Sequence, residues 1–261
     1  LVLPPVVTGY LLLLTFGRKG LVGGFLADHL GIVFSFRWTG AALACERAFL
    51  AALDGVREVM AEPGVEALPD IPGAHLEGPF ISPERLGAQP PHALLPEEGL
   101  LDEILAREVV RVVTMAPELT GFPAAARRFA AAGVRVSLGH TRASYEVAAG
   151  AADELLAAGA TVGFTHLFNA MGGIAGREPG PAGAALAARR TFAELIFDRF
   201  HVADGTLHLA RAAKGERLFF VTDAMRAAGE EDAESELGGN RVIVRGGRAE
   251  LEDGTLAGSV L

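Results

Sequence analysis

Cysteine, tryptophan and clusters of basic residues are scarce in this chain of 261 residues. It has one cysteine, Cys45, and one tryptophan. A single cysteine excludes an intrachain disulfide and fits a reducing compartment, so we expect a cytoplasmic location. The formal net charge is -9 and no run of Lys and Arg occurs. This charge pattern argues against nucleic acid or an anionic membrane surface as a partner.

No hydrophobic run in the sequence is long enough to span a membrane. The apolar segment 1–16 has no basic lead, contains Pro4 and Pro5, and is shorter than the roughly 20 residues that a membrane span needs. We interpret this segment as a buried strand. Because the chain starts inside it without a methionine, we expect a protein that is truncated at both ends.

Apolar runs of strand length alternate with helical segments along most of the chain. With 50% hydrophobic residues, the chain is long enough for one large core. The alternation predicts an α/β fold with a parallel sheet, and eight strand-like runs predict a (β/α)8 TIM-like barrel over residues 1–261. The predicted strands are 6–14, 32–36, 74–76, 109–115, 134–138, 161–164, 192–196 and 218–221, and the clearest helices are 41–60, 123–132, 144–158 and 205–213.

The C-terminal segment 241–252 has a different pattern. Its alternating residues surround Gly246 and Gly247, which predicts a β-hairpin and therefore a partial, small β appendage to the barrel.

Three short motifs each follow a strand-like run and each offer one metal-ligand type. They provide Glu77 in the motif at 75–80, His140 at 137–141 and His166 at 165–171. A lone His or Glu near a strand end is more often structural, but chemistry in alternating α/β folds concentrates at the carboxyl ends of strands. One carboxylate and two imidazoles suit a cation such as zinc that keeps a position open for water.

Asp223 follows the run at 218–221, where a carboxylate could handle the proton of that water. His75 precedes Glu77 by two residues and so points to the same side of a strand; it could orient the ligand or be an ordinary core histidine. Arg177 follows a glycine-rich segment at 171–176. It could grip an anion bidentately or pair with Glu178 on the surface.

Seven motifs, in one order, resemble the N-acetylglucosamine-6-phosphate deacetylases of the amidohydrolase superfamily. They lie at 75–80, 87–90, 139–141, 165–171, 176–180, 221–225 and 254–259, so the resemblance covers about residues 53–261. It implies metal-dependent hydrolysis of the acetamide of N-acetylglucosamine 6-phosphate to glucosamine 6-phosphate and acetate. The implied partners are this small phosphorylated amino sugar and a second copy of the chain in a homodimer.

The resemblance also implies roles for individual residues. Glu77, His140 and His166 would hold one divalent metal per chain, with zinc as the expected ion, and Asp223 would be the catalytic acid/base. The positions expected to bind the substrate are Gln89, Asn169, Ala170, Arg177, His201, Leu256, Ala257 and Gly258.

The chain departs from the family pattern near its start. Tyr10 and Leu12 stand where superfamily members often carry a His-x-His pair, which is why we expect one metal and not two. Arg199 replaces a small residue before His201. Two alternatives stay open. The departures fit a noncatalytic or damaged phosphosugar-binding relative, and the same metal chemistry would also serve another amidohydrolase that acts on a different amide, such as a dihydroorotase or an N-acyl-amino-acid hydrolase.

Overall fold

The computed structural model of the protein describes residues 38–61 and 71–261, with the helical backbone alone for residues 38–45. Six strands alternate with helices. The elements are α1 Trp38–Ala61, β1 Ala74–Glu77, α2 Glu98–Leu105, β2 Val110–Met115, α3 Phe122–Ala131, β3 Arg135–Leu138, α4 Tyr145–Ala157, β4 Val162–Phe164, α5 Gly180–Ala187, β5 Ala193–Ile196, α6 Asp204–Lys214 and β6 Leu218–Val221. Within these residues, no helix combines the length and apolarity needed to cross a membrane.

The six strands are parallel. Four pair in the order β1-β2-β3-β4, and β5 pairs with β6. Hydrogen bonds at Phe192 join the two sheets, because Phe164 donates to its carbonyl at 3.0 Å and Phe192 itself donates to Val162 at 2.9 Å. The result is a continuous parallel arc, which is not closed within the described residues. The predicted α/β class is confirmed, while the predicted strands at 6–14 and 32–36 lie outside the described residues.

The helices cover the arc through apolar faces with helical spacing. In α3 the buried residues are Phe122, Ala125, Ala126 and Phe129, which all lie on one face. The aromatic ring of Phe129 lies 6.3 Å from that of Phe80, centre to centre. The α4 helix begins after Ser144, whose hydroxyl accepts a hydrogen bond from the Val147 amide at 3.3 Å, as an N-cap does.

A small antiparallel sheet follows the parallel arc. Its strands are β7 Ala233–Leu237, β8 Asn240–Arg245 and β9 Arg248–Leu251. The predicted hairpin corresponds to β8 and β9, which turn at Gly246 and Gly247. Sequence patterns missed β7, α2 and α5. The small sheet has its own apolar cluster, which includes Met225, Leu237, Val242 and Val244, so it packs as a unit beside the end of β6.

Candidate metal centre and active-site cleft

The three predicted metal ligands meet at the carboxyl edge of the parallel arc. Glu77 is the last residue of β1, whereas His140 and His166 each lie two residues beyond the ends of β3 and β4. Parallel strands bring their carboxyl ends to the same edge of a sheet, so residues far apart in sequence become neighbours there.

The ligand atoms of these residues converge closely. Glu77 Oε1 lies 2.9 Å from His140 Nε2 and 3.4 Å from His166 Nε2. The two Nε2 atoms lie 3.0 Å apart, and one ligand atom from each residue falls within 4.8 Å of the others. Both imidazoles are buried.

The hydrogen bonds of the histidine rings suit a cation. His140 Nδ1 faces the Arg85 carbonyl oxygen at 2.8 Å. Because a carbonyl only accepts, Nδ1 carries the proton, and the Nε2 of the neutral ring keeps a free lone pair. His166 Nδ1 is buried and has no hydrogen-bond partner among the described residues, while its Nε2 faces Glu77 and His140. Three ligand atoms thus converge on one place, and the donor set fits a divalent metal that would displace the proton from the His166 ring.

The electrostatics of the cluster lead to the same conclusion. Burial raises the pKa of Glu77, but His166 and His140 outweigh it and hold that pKa well below its ordinary value. Burial lowers the pKa of His166, but the Glu77 carboxylate raises it more, to about 9. The Glu77 carboxylate therefore stays ionised and favours positive charge where the rings converge, which is a protonated His166 ring without a metal and a bound cation in its place.

Asp223 lies two residues beyond the end of β6 and opens into the same cleft. Removal of its carboxyl group from bulk water raises its pKa, and the nearby Glu77 carboxylate raises it further. A carboxylate with a raised pKa is a better proton acceptor near neutral pH.

Three of these residues have a strained backbone. The φ angle is +47° at His140, +29° at His166 and +47° at Asp223, a region that residues other than glycine seldom adopt. Such conformations persist when the surrounding structure fixes them, and they cluster at functional sites. Here they occur directly after strands, where the chain turns to direct side chains into the cleft.

A glycine allows the close packing behind His140. An added Cβ at Gly139 would lie 2.8 Å from Thr165 Cβ and 3.1 Å from Thr114 Cγ2. No side chain fits there without displacing two stiff, β-branched neighbours.

A cavity of about 1230 Å³ surrounds the cluster, which is ample for a sugar phosphate. It brings together eleven of the twelve predicted site residues: Glu77, Gln89, His140, His166, Asn169, Ala170, His201, Asp223, Leu256, Ala257 and Gly258. Gln89 donates from its Nε2 to Glu77 Oε1 at 3.0 Å, so it also contacts a metal-ligand candidate.

Arg177 is the predicted site residue that lies apart. It is exposed and is not among the described residues that line the cavity. The neighbouring Glu178 carboxylate accepts hydrogen bonds from the Tyr145 and Gly180 amides, each at 2.9 Å, and so fastens this loop to the starts of α4 and α5. The phosphate-binding role of Arg177 stays a prediction.

His201 is held from both sides of its ring. Its Nδ1 lies 2.6 Å from Asp198 Oδ2, and its Nε2 donates to the Ala257 carbonyl at 2.8 Å. Asp198 also accepts from the Phe200 and His201 amides, each at 2.9 Å. The sequence analysis missed Asp198, although a carboxylate three residues before a proposed substrate histidine was an available signal.

Other polar residues of the site also escaped the sequence analysis. Glu118 binds the Thr141 hydroxyl at 2.5 Å and the Arg142 amide at 2.8 Å, which fastens the turn after His140. Nothing in the local sequence around Glu118 signals this contact. Glu194 lines the cavity and lies 3.4 Å from the His166 amide; its place on a predicted strand was the available signal.

Beneath the ligands, hydroxyl groups form a chain across the strands. Thr165 donates to Ser137 at 2.7 Å, and Thr114 lies 2.7 Å from both Thr165 and His75. His75 is thus a hydrogen-bonded residue that lines the cavity.

Comparisons with known proteins match this arrangement. Over 193 residues the chain is 42% identical to the N-acetylglucosamine-6-phosphate deacetylase of Bacillus subtilis, covering 72% of this chain and 48% of that protein. The chain is a relative of the N-acetylglucosamine-6-phosphate deacetylases. It is also 39% identical over 202 residues to the N-acetylgalactosamine-6-phosphate deacetylase of Escherichia coli O157:H7, covering 76% of this chain and 51% of that one.

A solved structure of the same kind agrees. A mutant N-acetyl-D-glucosamine-6-phosphate deacetylase from Mycobacterium smegmatis, in complex with N-acetyl-D-glucosamine-6-phosphate, matches with a TM-score of 0.74 and 39% identity. The match covers 83% of this chain and 55% of that one. No protein-family model matches the chain. The chain spans about half the length of the curated relatives it matches.

Proposed function

We propose that the protein hydrolyses the acetamide of N-acetylglucosamine 6-phosphate to glucosamine 6-phosphate and acetate with the help of a divalent metal. The observation that carries this proposal is the convergence of Glu77, His140 and His166 in a cleft that Asp223 also enters. The relatives that share this part of the chain are named for the same reaction.

Glu77, His140 and His166 would hold one metal, and zinc is the ion that best suits one carboxylate and two imidazoles. When bound, a divalent cation lowers the pKa of water and polarises a carbonyl group. The single-metal stoichiometry rests on Tyr10 and Leu12, which offer poor ligands where a second site would need two histidines.

Asp223 would move the proton. One of its carboxylate oxygens takes a proton from the attacking water as the new C–O bond forms. The same group then gives that proton to the amide nitrogen as the C–N bond breaks, so the amine leaves neutral. A single group whose pKa is raised by burial and by the Glu77 carboxylate can serve in both directions.

The remaining predicted residues would bind the sugar. Gln89, Asn169, Ala170 and His201 line the cavity together with the turn at 256–258, and we propose that Arg177 contacts the phosphate. We also propose that the protein acts as a homodimer in the cytoplasm. The mass of the protein in solution tests the homodimer, and the single cysteine supports the cytoplasmic location.

Acetate release tests the function. The protein, supplied with zinc, should hydrolyse N-acetylglucosamine 6-phosphate far faster than unphosphorylated N-acetylglucosamine. N-acetylgalactosamine 6-phosphate belongs in the same assay, because relatives named for that epimer are about as similar to this chain. A faster rate on N-acetylgalactosamine 6-phosphate would replace N-acetylglucosamine 6-phosphate as the proposed substrate. An absence of acetate from all three sugars would contradict the proposal.

A further inference from the structure

The C-terminal segment of the described chain packs against the backbone of Asp223. Ser259 donates its amide to the Asp223 carbonyl at 2.9 Å, and its own carbonyl accepts from the Met225 amide at 2.9 Å. The two segments form a parallel bridge at Ala224 and Ser259. Backbone bonds therefore hold the chain at Asp223 and directly after it.

The Ser259 side chain adds a third hydrogen bond between the two segments. Its hydroxyl donates to the Thr222 carbonyl, and the Leu261 amide donates to that hydroxyl at 3.3 Å. Ser259 is buried, with 2% of its surface exposed, so water does not replace these bonds readily if they are lost.

Gly258 explains how the segment approaches so closely. An added Cβ there would lie 2.5 Å from the Asp223 carbonyl oxygen. That atom belongs to the backbone and cannot swing aside as a side chain could. The φ angle of Gly258 does not lie in the left-handed region, so the backbone conformation alone does not demand glycine. The close contact with the Asp223 carbonyl is what requires it.

From these contacts we infer that Ser259 is a positioning residue for Asp223 and that Gly258 is the spacer that permits the contact. Asp223 has a φ of +47°, a conformation that must be fixed by its surroundings. The backbone bonds of Ser259 hold the chain at and after Asp223, and its hydroxyl holds the carbonyl of Thr222 before it, so that together they flank the residue. The inference rests on the proposed function, in which the Asp223 carboxylate moves the proton.

The segment at 257–259 also contacts His201, on the side of the cleft where the sugar is proposed to bind. Ala257, the residue before Gly258, accepts the hydrogen bond from His201. One short stretch of chain therefore connects a proposed substrate histidine to the proposed acid/base, and its displacement would misplace Asp223 without removing any metal ligand.

The test compares Ser259→Ala with Ser259→Thr and with a matched control, Ser144→Ala. The control also removes one hydrogen bond of a serine hydroxyl, at the start of α4, but it does not touch Asp223. We expect Ser259→Ala to lower kcat by about tenfold to 100-fold, the range of a slightly misplaced catalytic group. KM and bound metal should stay close to wild type. Ser259→Thr, which keeps the hydroxyl, should recover most of the lost kcat, and Ser144→Ala should keep kcat.

A second pair of variants uses glycine. Gly258→Ala should lower kcat more than Ser259→Ala does, because its Cβ would displace the Asp223 backbone. Gly150→Ala is the control, since an added Cβ at Gly150, within α4, meets nothing within 4 Å. A kcat unchanged in Ser259→Ala, or lowered equally in Ser144→Ala, would overturn the inference.

Amide hydrogen exchange provides a readout that does not need activity. The amides of Met225 and Ser259 should exchange faster in Ser259→Ala than in the wild type, and Ser144→Ala should leave them protected. Unchanged protection in Ser259→Ala would overturn the positioning role even if the wild type released no acetate. An inactive wild type with faster exchange in the variant would contradict the proposed function alone.

Discussion

Glu77 Oε1 lies 2.9 Å from His140 Nε2 although the two residues are 63 positions apart in the chain. The contact exists because β1 and β3 are parallel and end at one edge of the arc. The two strands are not neighbours, and β2 lies between them. Each strand end must therefore direct its side chain toward a common point in the cleft, so the chemistry depends on several separate turns.

Asp223→Asn should separate binding from chemistry. An amide cannot accept the proton of the attacking water, so kcat should fall by at least about 10²-fold. Bound metal and KM should change little, because Asp223 is not needed to complete the three-ligand cluster. Steady-state kinetics and elemental analysis check this. Near-normal turnover would assign the proton transfer to another group.

Arg177→Ala tests the phosphate contact. If Arg177 binds the phosphate, its loss removes charge-assisted hydrogen bonds and should cost about 1.5–3 kcal/mol in kcat/KM for the phosphorylated sugar. The ratio of activities on phosphorylated and unphosphorylated sugar should shrink accordingly. Arg189→Ala is a control on another exposed arginine, outside the cavity. An unchanged ratio in Arg177→Ala would remove this residue from the site.

Asp198→Asn should reduce stability in a way that depends on pH. Burial raises the pKa of Asp198, but the backbone amides and ring of its neighbours lower it more, so its pKa lies below the ordinary value. A depressed carboxyl pKa stabilises the folded state above the unfolded value of about 3.9 and loses that contribution as the pH falls.

The free energy of unfolding should therefore be higher in the wild type than in Asp198→Asn at pH 6, and the gap should shrink below about pH 4. Urea unfolding at several pH values measures the gap. Asp153→Asn, on the exposed side of α4, serves as the control and should show little difference at either pH. A gap that widens in acid would contradict the pairing of Asp198 with His201.

Gly139→Ala should disturb both stability and the metal centre. The added Cβ would crowd Thr165 and Thr114, and overpacking of this kind costs roughly 1–3 kcal/mol. Because Gly139 precedes His140, metal occupancy should fall as well. Gly55→Ala in α1 is the control, since its Cβ would meet nothing within 4 Å. Equal unfolding free energies for Gly139→Ala and the wild type would show that the packing there is looser than described.

The parts of the fold that depend on hydrophobic pattern were predictable. The apolar runs before Glu77, His140, His166 and Asp223 became strands, and parallel strands bring the residues after them to one edge of the sheet. The short α5 was not predictable in this way, because its sequence of Gly, Pro, Ala and Leu is apolar on all sides and lacks helical periodicity. The polar alternation of β7 likewise becomes a strand through pairing with β8.

In the site, residue types that suit a metal were predictable, but their supports were not. Glu118 binds the turn after His140 from another loop, and Ser259 reaches Asp223 from 36 residues further along the chain. Such contacts depend on tertiary packing and leave no local pattern. The exposure of Arg177 could not be predicted either, because the glycine-rich segment before it can adopt several loop conformations.

Zinc titration of the metal-stripped protein, with acetate release from N-acetylglucosamine 6-phosphate as the readout, tests the central claim most directly. The claim is that Glu77, His140 and His166 hold one catalytic metal. The rate should rise from near zero in proportion to added zinc and level off at about one equivalent per chain. His140→Ala should stay inactive at the same zinc concentrations. A rate that does not respond to zinc, or that levels off at about two equivalents, would contradict the account.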